Sequence, residues 1–403
     1  MRDPSALPPI ARFGSLVASD LRDVTDDVAA LDSAGFWAVA ADFDGRTVCA
    51  RFGDVRQQPR PAPPPGATPA TVAADVGWRG PDPRAWTSSM DQAAYEDGVR
   101  EIRARIATGE VYQVNLCRVL TAPLPTGPGT RSGPGAPPDA DADIDALGAV
   151  LAHGNPAPYA GTIRLPAHGV EIATASPELF LRRRGSTVES GPIKGTARTA
   201  ADFLTKDHAE NVMIVDLVRN DLGRICATGT VTVPALCAVE PHPGLVHLVS
   251  TVRGELRPDA GWPQLFAAVF PPGSVTGAPK SSALRVISEL ETAPRGPYCG
   301  AIGWVDADRR TAELAVGIRT FWIDRSPPGG PVLRFGAGAG ITWGSDPHGE
   351  WEETALKAAR LLAVASEEYP GEREAPAERE GYAGNEQAAP GSGAARGGER
   401  TVR

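Results

Sequence analysis

Apolar side chains at Tyr95, Val99, Ile102 and Ile106 recur at the spacing of one helix face, and Gly109 stands where that helix should stop. A serine or threonine just upstream, in "TSSMDQ", is available as its N-cap. The next run, "VYQVNLCRVL", reads as a buried strand. Short strands follow in "GTIRLP", "VEIATAS", "ELFLRRR" and "STVESG", with turn residues between them. "AENVMIVDLVRNDLGRI" predicts a helix ending near Gly223, and "GEWEETALKAARLLAVA" a final helix. Between them, "CGAIGWVDADRRTAELAVGIRTFWID" predicts a hairpin around "DADRR", and "PVLRFGAGAGITW" a further strand. Hairpins outnumber β-α-β crossovers. The pattern therefore predicts antiparallel sheets with helices packed outside, not a doubly wound parallel sheet.

Three stretches carry no such pattern. Residues 57–69, "QQPRPAPPPGATP", and 123–142 are Pro/Gly-rich connections that cannot pack a core. The tail from Glu367 is polar, small and nearly devoid of apolar anchors, and is expected to be disordered. A chain of 403 residues with 42% hydrophobic positions can bury a large core. Its net charge of -9 argues against a nucleic-acid binder, although a local cationic cluster could still take a small anion. Five scattered cysteines, with no Cys-x-x-Cys, disfavour a disulfide framework or zinc site. No apolar run reaches the length of a membrane span, and the N-terminal residues lack a signal-peptide pattern. These features together predict a soluble, cytoplasmic protein.

Several residue groups could carry chemistry. Lys194, in "GPIKGT", sits on a tight bend, where its amine could be a solvated charge, a counter-ion for an anion or a nucleophile. Asp207 and Glu210 lie three apart near the start of one helix, and Glu350 and Glu353 near the start of another. Acids there can simply satisfy helix dipoles, or one from each helix can hold Mg²⁺. "PPGSVTGAPK" superficially resembles a phosphate loop, but Ala278 and Pro279 separate Gly277 from Lys280, which excludes that geometry. Pro279 instead suits the first position of a helix, whose free N–H groups could grip a carboxylate. Gly336, Gly338, Gly340 and Gly344 mark close backbone approach, to a neighbour or to a ligand. Arg319, among apolar neighbours, needs a partner, either a protein carboxylate or a ligand. His247 reads as a satisfied core histidine or a participant in proton traffic.

Taken in order from about Trp86 to Val364, these stretches resemble the chorismate-utilising enzymes. The resemblance rests on "YQVNLCR", "SPELFL", "GPIKGT", "ENVMIVDLVRNDLGR", "HLVSTVRGEL", "FPPGSVTGAPK", "YCGAIGW", "AVGIRT", "FGAGAGI" and "EWEETALKA". It implies an α+β fold of two large, mainly antiparallel β-sheets packed as a sandwich with helices outside. It divides the chain into a β-rich part at 1–85, a catalytic core at 86–366 and the tail at 367–403. Lys194 separates the branches: anthranilate, isochorismate and salicylate synthases typically carry alanine there, and Pro-Ile-Lys-Gly-Thr is similar to the aminodeoxychorismate branch. Water-adding relatives carry a base lysine where this chain has Gln113.

The resemblance also implies roles. The ring carboxylate of chorismate would lie on Mg²⁺ held by Glu210 and Glu353, with Asp207 and Glu350 acting directly or through water. Glu178 would protonate the departing 4-hydroxyl. Lys194 would attack C2, and ammonia would then enter at C4 and expel it. Tyr298, Arg319, Gly338 and Gly340 would take the enolpyruvyl carboxylate, while Gly195, Thr196 and Lys357 would lie near the ring carboxylate. His247 would match the active-site histidine. No cysteine has the setting of a glutaminase nucleophile, so ammonia would come from solution or from a separate glutamine amidotransferase subunit in a heterodimer. Anthranilate synthase component I is the alternative within the family. An inactive chorismate-fold binding partner of a glutaminase is the alternative outside catalysis.

Overall fold

The computed structural model describes residues 7–125, 142–197, 199–203, 205–242 and 245–366. Every strand pairing among them is antiparallel. From Gln113–Pro123 the sheet passes through Val332–Ile341, Thr320–Asp324, Val170–Ser176, Tyr159–Leu165, Ile10–Phe13 and Leu16–Thr25. It continues through Thr47–Gln57, Phe36–Ala41, Ala301–Asp306, Thr311–Val316, Leu179–Arg184, Thr187–Gly191 and Leu245–Glu255. The last of these also carries Ile193–Ala197 and Thr232–His242. The expected antiparallel α+β class is therefore present, with its two sheets hydrogen-bonded into one network. Strand twist curls so long a sheet upon itself, and its two ends face each other. A Cβ on Gly340, in the second strand of the path, would lie 3.7 Å from Nζ of Lys194 near the far end.

Strands before residue 86 belong to the same sheet, since Ile10–Phe13 pairs with Tyr159–Leu165 and Phe36–Ala41 with Ala301–Asp306. The helix at Gln92–Ala107 buries Tyr95, Val99 and Ile102, and Gly98 lets it approach Leu116. Its N-cap is Asp91, whose carboxylate accepts the Ala94 amide; the upstream serines and threonine do not fill that place. Helices at Thr205–Gly223 and Pro347–Ala365 match the periodicity. The helix at Lys280–Leu290 starts one residue late, with Pro279 as its cap. The stretch predicted as one hairpin around "DADRR" holds that hairpin and also a separate strand, Thr320–Asp324, which pairs instead with Val332–Ile341 and Val170–Ser176.

Residues 58–68 form a loop pinned by the Arg60–Asp145 ion pair at 2.6 Å, and Thr68 caps a short helix, Pro69–Val76. The helix Ile144–Gly154, unforeseen beside a Pro/Gly-rich stretch, buries Ile144, Leu147, Val150 and Leu151. Most of the 123–142 connection and the whole tail from 367 lie outside the described residues. Among the described residues no helix is long and apolar enough to cross a membrane.

Candidate active site

Lys194 is aimed by a β-bulge. Ile193 pairs with Val249 and Thr196 with His247, so one residue too many stands between them. Gly195 absorbs the extra length at φ 85°, a left-handed conformation that disfavours other residues. A Cβ there would press to 3.2 Å against Phe203 and against Asp207 Cβ. The half-buried Lys194 amine donates to the Ser274 carbonyl at 3.0 Å. Burial lowers its pKa, opposed by Glu210, Glu178 and Glu353 and assisted by Lys357.

Glu178 faces this amine from the turn between Val170–Ser176 and Leu179–Arg184. Ser176 holds that turn: its hydroxyl donates to the Val316 carbonyl at 2.7 Å and accepts the Glu178 amide at 3.2 Å. The Glu178 side chain is buried, and burial pushes its pKa up to about 7. The Ser274 hydroxyl, Lys194 and the Ile193 amide pull the other way. A carboxylic acid that is half ionised near neutrality, beside an amine with a lowered pKa, is an acid–base pair able to exchange one proton.

The opposite wall is the glycine strand. Gly340 faces Gln113, and an added Cβ would lie 2.3 Å from Gln113 Nε2. The side chain of Gln113 is buried, and its Oε1 has no hydrogen-bond partner among the described residues. An orphaned acceptor beside a reactive amine suits a ligand that brings a donor. Gly338 lies against Cys117, and Gly336 against the Tyr298 ring, which a Cβ would strike at 2.0 Å. Gly344 has open space around it and takes no part. Gly340→Ala is therefore expected to displace Gln113 and lower kcat/KM by about 10- to 100-fold with the fold retained; steady-state kinetics beside a circular dichroism spectrum check it.

The acids come together in part. Glu210 and Glu353, from different helices, both act on Lys194, and Glu353 pairs with Lys357 at 2.6 Å. Lys357 also donates to the Gly338 carbonyl at 3.2 Å, linking these acids to the glycine strand. Burial raises the Glu350 pKa, the Ser345 hydroxyl lowers it, and Glu353 and Glu210 raise it further. Asp207 lies beneath Gly195. Among the described residues no three acids or imidazoles converge closely enough to hold a metal alone. Mutually repelling carboxylates on two helices nevertheless fit Mg²⁺, which takes one or two carboxylates and keeps water and substrate oxygens.

His247 is buried within its strand opposite Thr196, whose side chain lies outside the described residues. Tyr298 is buried beside Cys117, and burial raises its hydroxyl pKa well above the ordinary value. Arg319 adopts φ 51° and is half-buried; burial lowers its pKa, and the charge acting on it is another cation, Arg360. Among the described residues no carboxylate is seen paired with it. Lys280, in the rejected phosphate-loop motif, pairs with buried Asp221 at 2.6 Å.

Residues 73–363 match the chorismate binding enzyme family. The chain belongs to that family. Within it, the chain is 36% identical over 310 residues to an anthranilate synthase component 1 of Haloarcula marismortui, covering 72% of this chain and 57% of that protein. It is 36% identical over 291 residues to an aminodeoxychorismate synthase component 1 of Klebsiella aerogenes, covering 69% and 59%. An aminodeoxychorismate synthase of Streptomyces pristinaespiralis is 39% identical over 290 residues, covering 69% of this chain and 37% of that protein. The chain thus spans 37% to 59% of the length of these relatives. The anthranilate synthase component I structure from Streptococcus pneumoniae superposes with a TM-score of 0.67 at 21% identity, covering 90% and 94%. It shares the fold of this member of the chorismate binding family. The relatives bear two reaction names, so the reaction must be argued from side chains.

Proposed function

We propose that this chain aminates chorismate at C4 to give 4-amino-4-deoxychorismate, with Mg²⁺ and with ammonia from a separate glutaminase subunit. The observation that carries the reading is the half-buried Lys194 amine, set between Glu178, Glu210 and the glycine strand. Nζ attacks C2, and both ring double bonds shift, C1=C2 to C1=C6 and C5=C6 to C4=C5, toward the leaving group. The C4–O bond breaks, and the hydroxyl leaves as water with a proton from Glu178. Glu178, left as carboxylate, takes the proton from the new C2–N ammonium; ammonia then adds at C4, both double bonds return, and the C2–N bond breaks as the Lys194 nitrogen regains a proton, the one that the added ammonia loses. The enolpyruvyl group stays in place. Gln113 offers no base to deprotonate water, which disfavours hydration.

Arg319 and Tyr298, with the Gly338 and Gly340 backbone, would receive the enolpyruvyl carboxylate. Gly195, Thr196 and Lys357 would border the ring carboxylate, and His247 would assist proton traffic. Glu210 and Glu353 would hold Mg²⁺, with Asp207 and Glu350 behind them; the ion would supply a Lewis acid for the ring carboxylate. A separate ammonia source agrees with the cysteines. Burial pushes the Cys49 thiol up to about 12 and the Cys226 thiol up to about 11, and it also raises Cys117 and Cys237. A glutaminase nucleophile needs a thiolate.

Incubation with chorismate, Mg²⁺ and an ammonium salt tests the reading. The expected product is 4-amino-4-deoxychorismate, which an added lyase turns into 4-aminobenzoate. Anthranilate with pyruvate would move the chain to the anthranilate branch, and chorismate binding without turnover would favour a non-catalytic partner.

A further inference from the structure

Ser274 belongs to "PPGSVTGAPK", a motif to which the chemistry so far assigns no part. It lies in a single 3₁₀ turn, Gly273–Val275, and is 7% exposed. Its carbonyl accepts the Lys194 amine at 3.0 Å, and its hydroxyl lowers the Glu178 pKa, as a donor to the carboxylate does. Ser274 and Glu178 also line a cavity of about 20 Å³, room for roughly one water. One residue therefore touches both the acid and the amine.

The turn that carries it is braced. The Thr276 hydroxyl donates to the Pro272 and Gly273 carbonyls at 3.1 and 3.2 Å, and Arg295 donates to the Val275 carbonyl at 2.9 Å. Arg295 is itself buried and paired with Glu291 at 2.6 Å. Gly273 packs so closely on Leu217 that a Cβ would lie 2.7 Å from it.

We propose that Ser274 is a positioning residue that couples Glu178 to Lys194 during the proton transfers of the reaction. An amine that spends one N–H on a fixed carbonyl has its lone pair directed. A hydroxyl is both donor and acceptor, so it stays bonded to Glu178 whether that group is carboxylate or acid. A backbone N–H could donate to either form but could not accept from the O–H of the acid. Serine thus holds both partners through the proton cycle. The inference rests on the roles proposed for Glu178 and Lys194.

The test compares wild type, Ser274→Ala, Ser274→Cys and Ser274→Thr in the full chain, following chorismate consumption with Mg²⁺ and ammonium. A hydrogen bond to a charged group is worth about 1.5–3 kcal/mol, so alanine should lower kcat about 10- to 100-fold. KM for chorismate should change by less than about twofold. Cysteine, a weak donor of similar shape, should behave like alanine, and threonine should recover most of the rate.

The alkaline limb of the pH–rate profile should also move up in the alanine variant, because a donor that favours ionised Glu178 is gone. The groups facing Glu178 remain in every variant: Lys194 beside it, and Asp221, paired with Lys280, across the small cavity. Glu210, Glu353 and Lys357, which face Lys194, also remain. A wild-type kcat in Ser274→Ala would overturn the proposal. So would equal losses in all three variants with an unmoved pH profile, the mark of packing alone. Anthranilate as product would refute the C4 reading and the Lys194 nucleophile, and this inference with them, whereas 4-amino-4-deoxychorismate with a wild-type kcat in Ser274→Ala would refute this inference alone.

Discussion

Lys194→Ala is expected to lower the rate of amination at C4 by on the order of 10³-fold or more, while chorismate still binds. The effect is large because the amine forms and breaks a bond to the substrate in this mechanism, and no other described residue near Glu178 can replace it. Gln113 is uncharged and non-nucleophilic, and Lys357 is half-exposed and paired with Glu353. Product quantification with an added lyase measures the loss, and mass spectrometry of acid-quenched wild type should show a chorismate-derived adduct that the variant lacks. Full activity in Lys194→Ala would reduce the residue to a counter-ion.

The amine must lose a proton before it can attack. An ordinary lysine is almost fully protonated near neutrality, and lowering its pKa by ~3 units requires about 4 kcal/mol of differential interaction. Burial works in that direction here, against Glu210, Glu178 and Glu353. With Glu178 neutral its opposition vanishes, and a cation held by Glu210 and Glu353 would withdraw theirs. The Lys194 pKa is lowered while that of Glu178 is raised, so the usual gap between amine and carboxylic acid narrows from both sides. Proton exchange between them becomes cheaper than either shift alone would allow.

Much of this site was legible in residue types and spacing. Spacing singled out Asp207 with Glu210, Glu350 with Glu353 and the Gly336–Gly340 alternation, but whether those acids meet it left open, and the roles of Glu178 and the acids came only from the family resemblance. What each glycine approaches was not legible, because Tyr298, Cys117 and Gln113 come from distant parts of the chain. Ser274 carried no signal of its own, since its two contacts arise from a turn that only the packed Arg295 and Leu217 define. The continuity of the sheet was hidden for a related reason. It depends on pairing Phe36–Ala41 with Ala301–Asp306, some 260 residues apart, and alternation within a strand does not name its partner. Asp91 took the cap in place of the serines because it stands directly before the first helical turn with a charged acceptor.

Glu178→Gln is expected to lose activity and gain stability above neutral pH, two effects of opposite sign from one group. Loss of the acid should lower kcat by about 10²- to 10⁴-fold and remove the ionisation near pH 7 from the pH–rate profile. The stability effect follows from burial, which raises the Glu178 pKa from 4.5 to about 7 on folding. Below about pH 4.5 the group is protonated in both folded and unfolded chains, and folding gains fully from keeping it neutral. As pH rises through that range the unfolded chain releases the proton first, so stability falls until the folded group also ionises near 7. Above that point wild type has lost about 3 kcal/mol from this residue. Glutamine, neutral at every pH, does not undergo this loss. Thermal unfolding of both proteins at pH 5 and pH 8 reads the difference: the variant's advantage should be larger at pH 8. A constant difference between the two proteins across that range would mean that Glu178 does not titrate from a buried position, and the acid would then have to be sought elsewhere along the Lys194 pocket. Natural selection tolerates such a destabilising group where its proton is used, which is why a buried acid beside a half-buried amine is itself an argument for catalysis at this place.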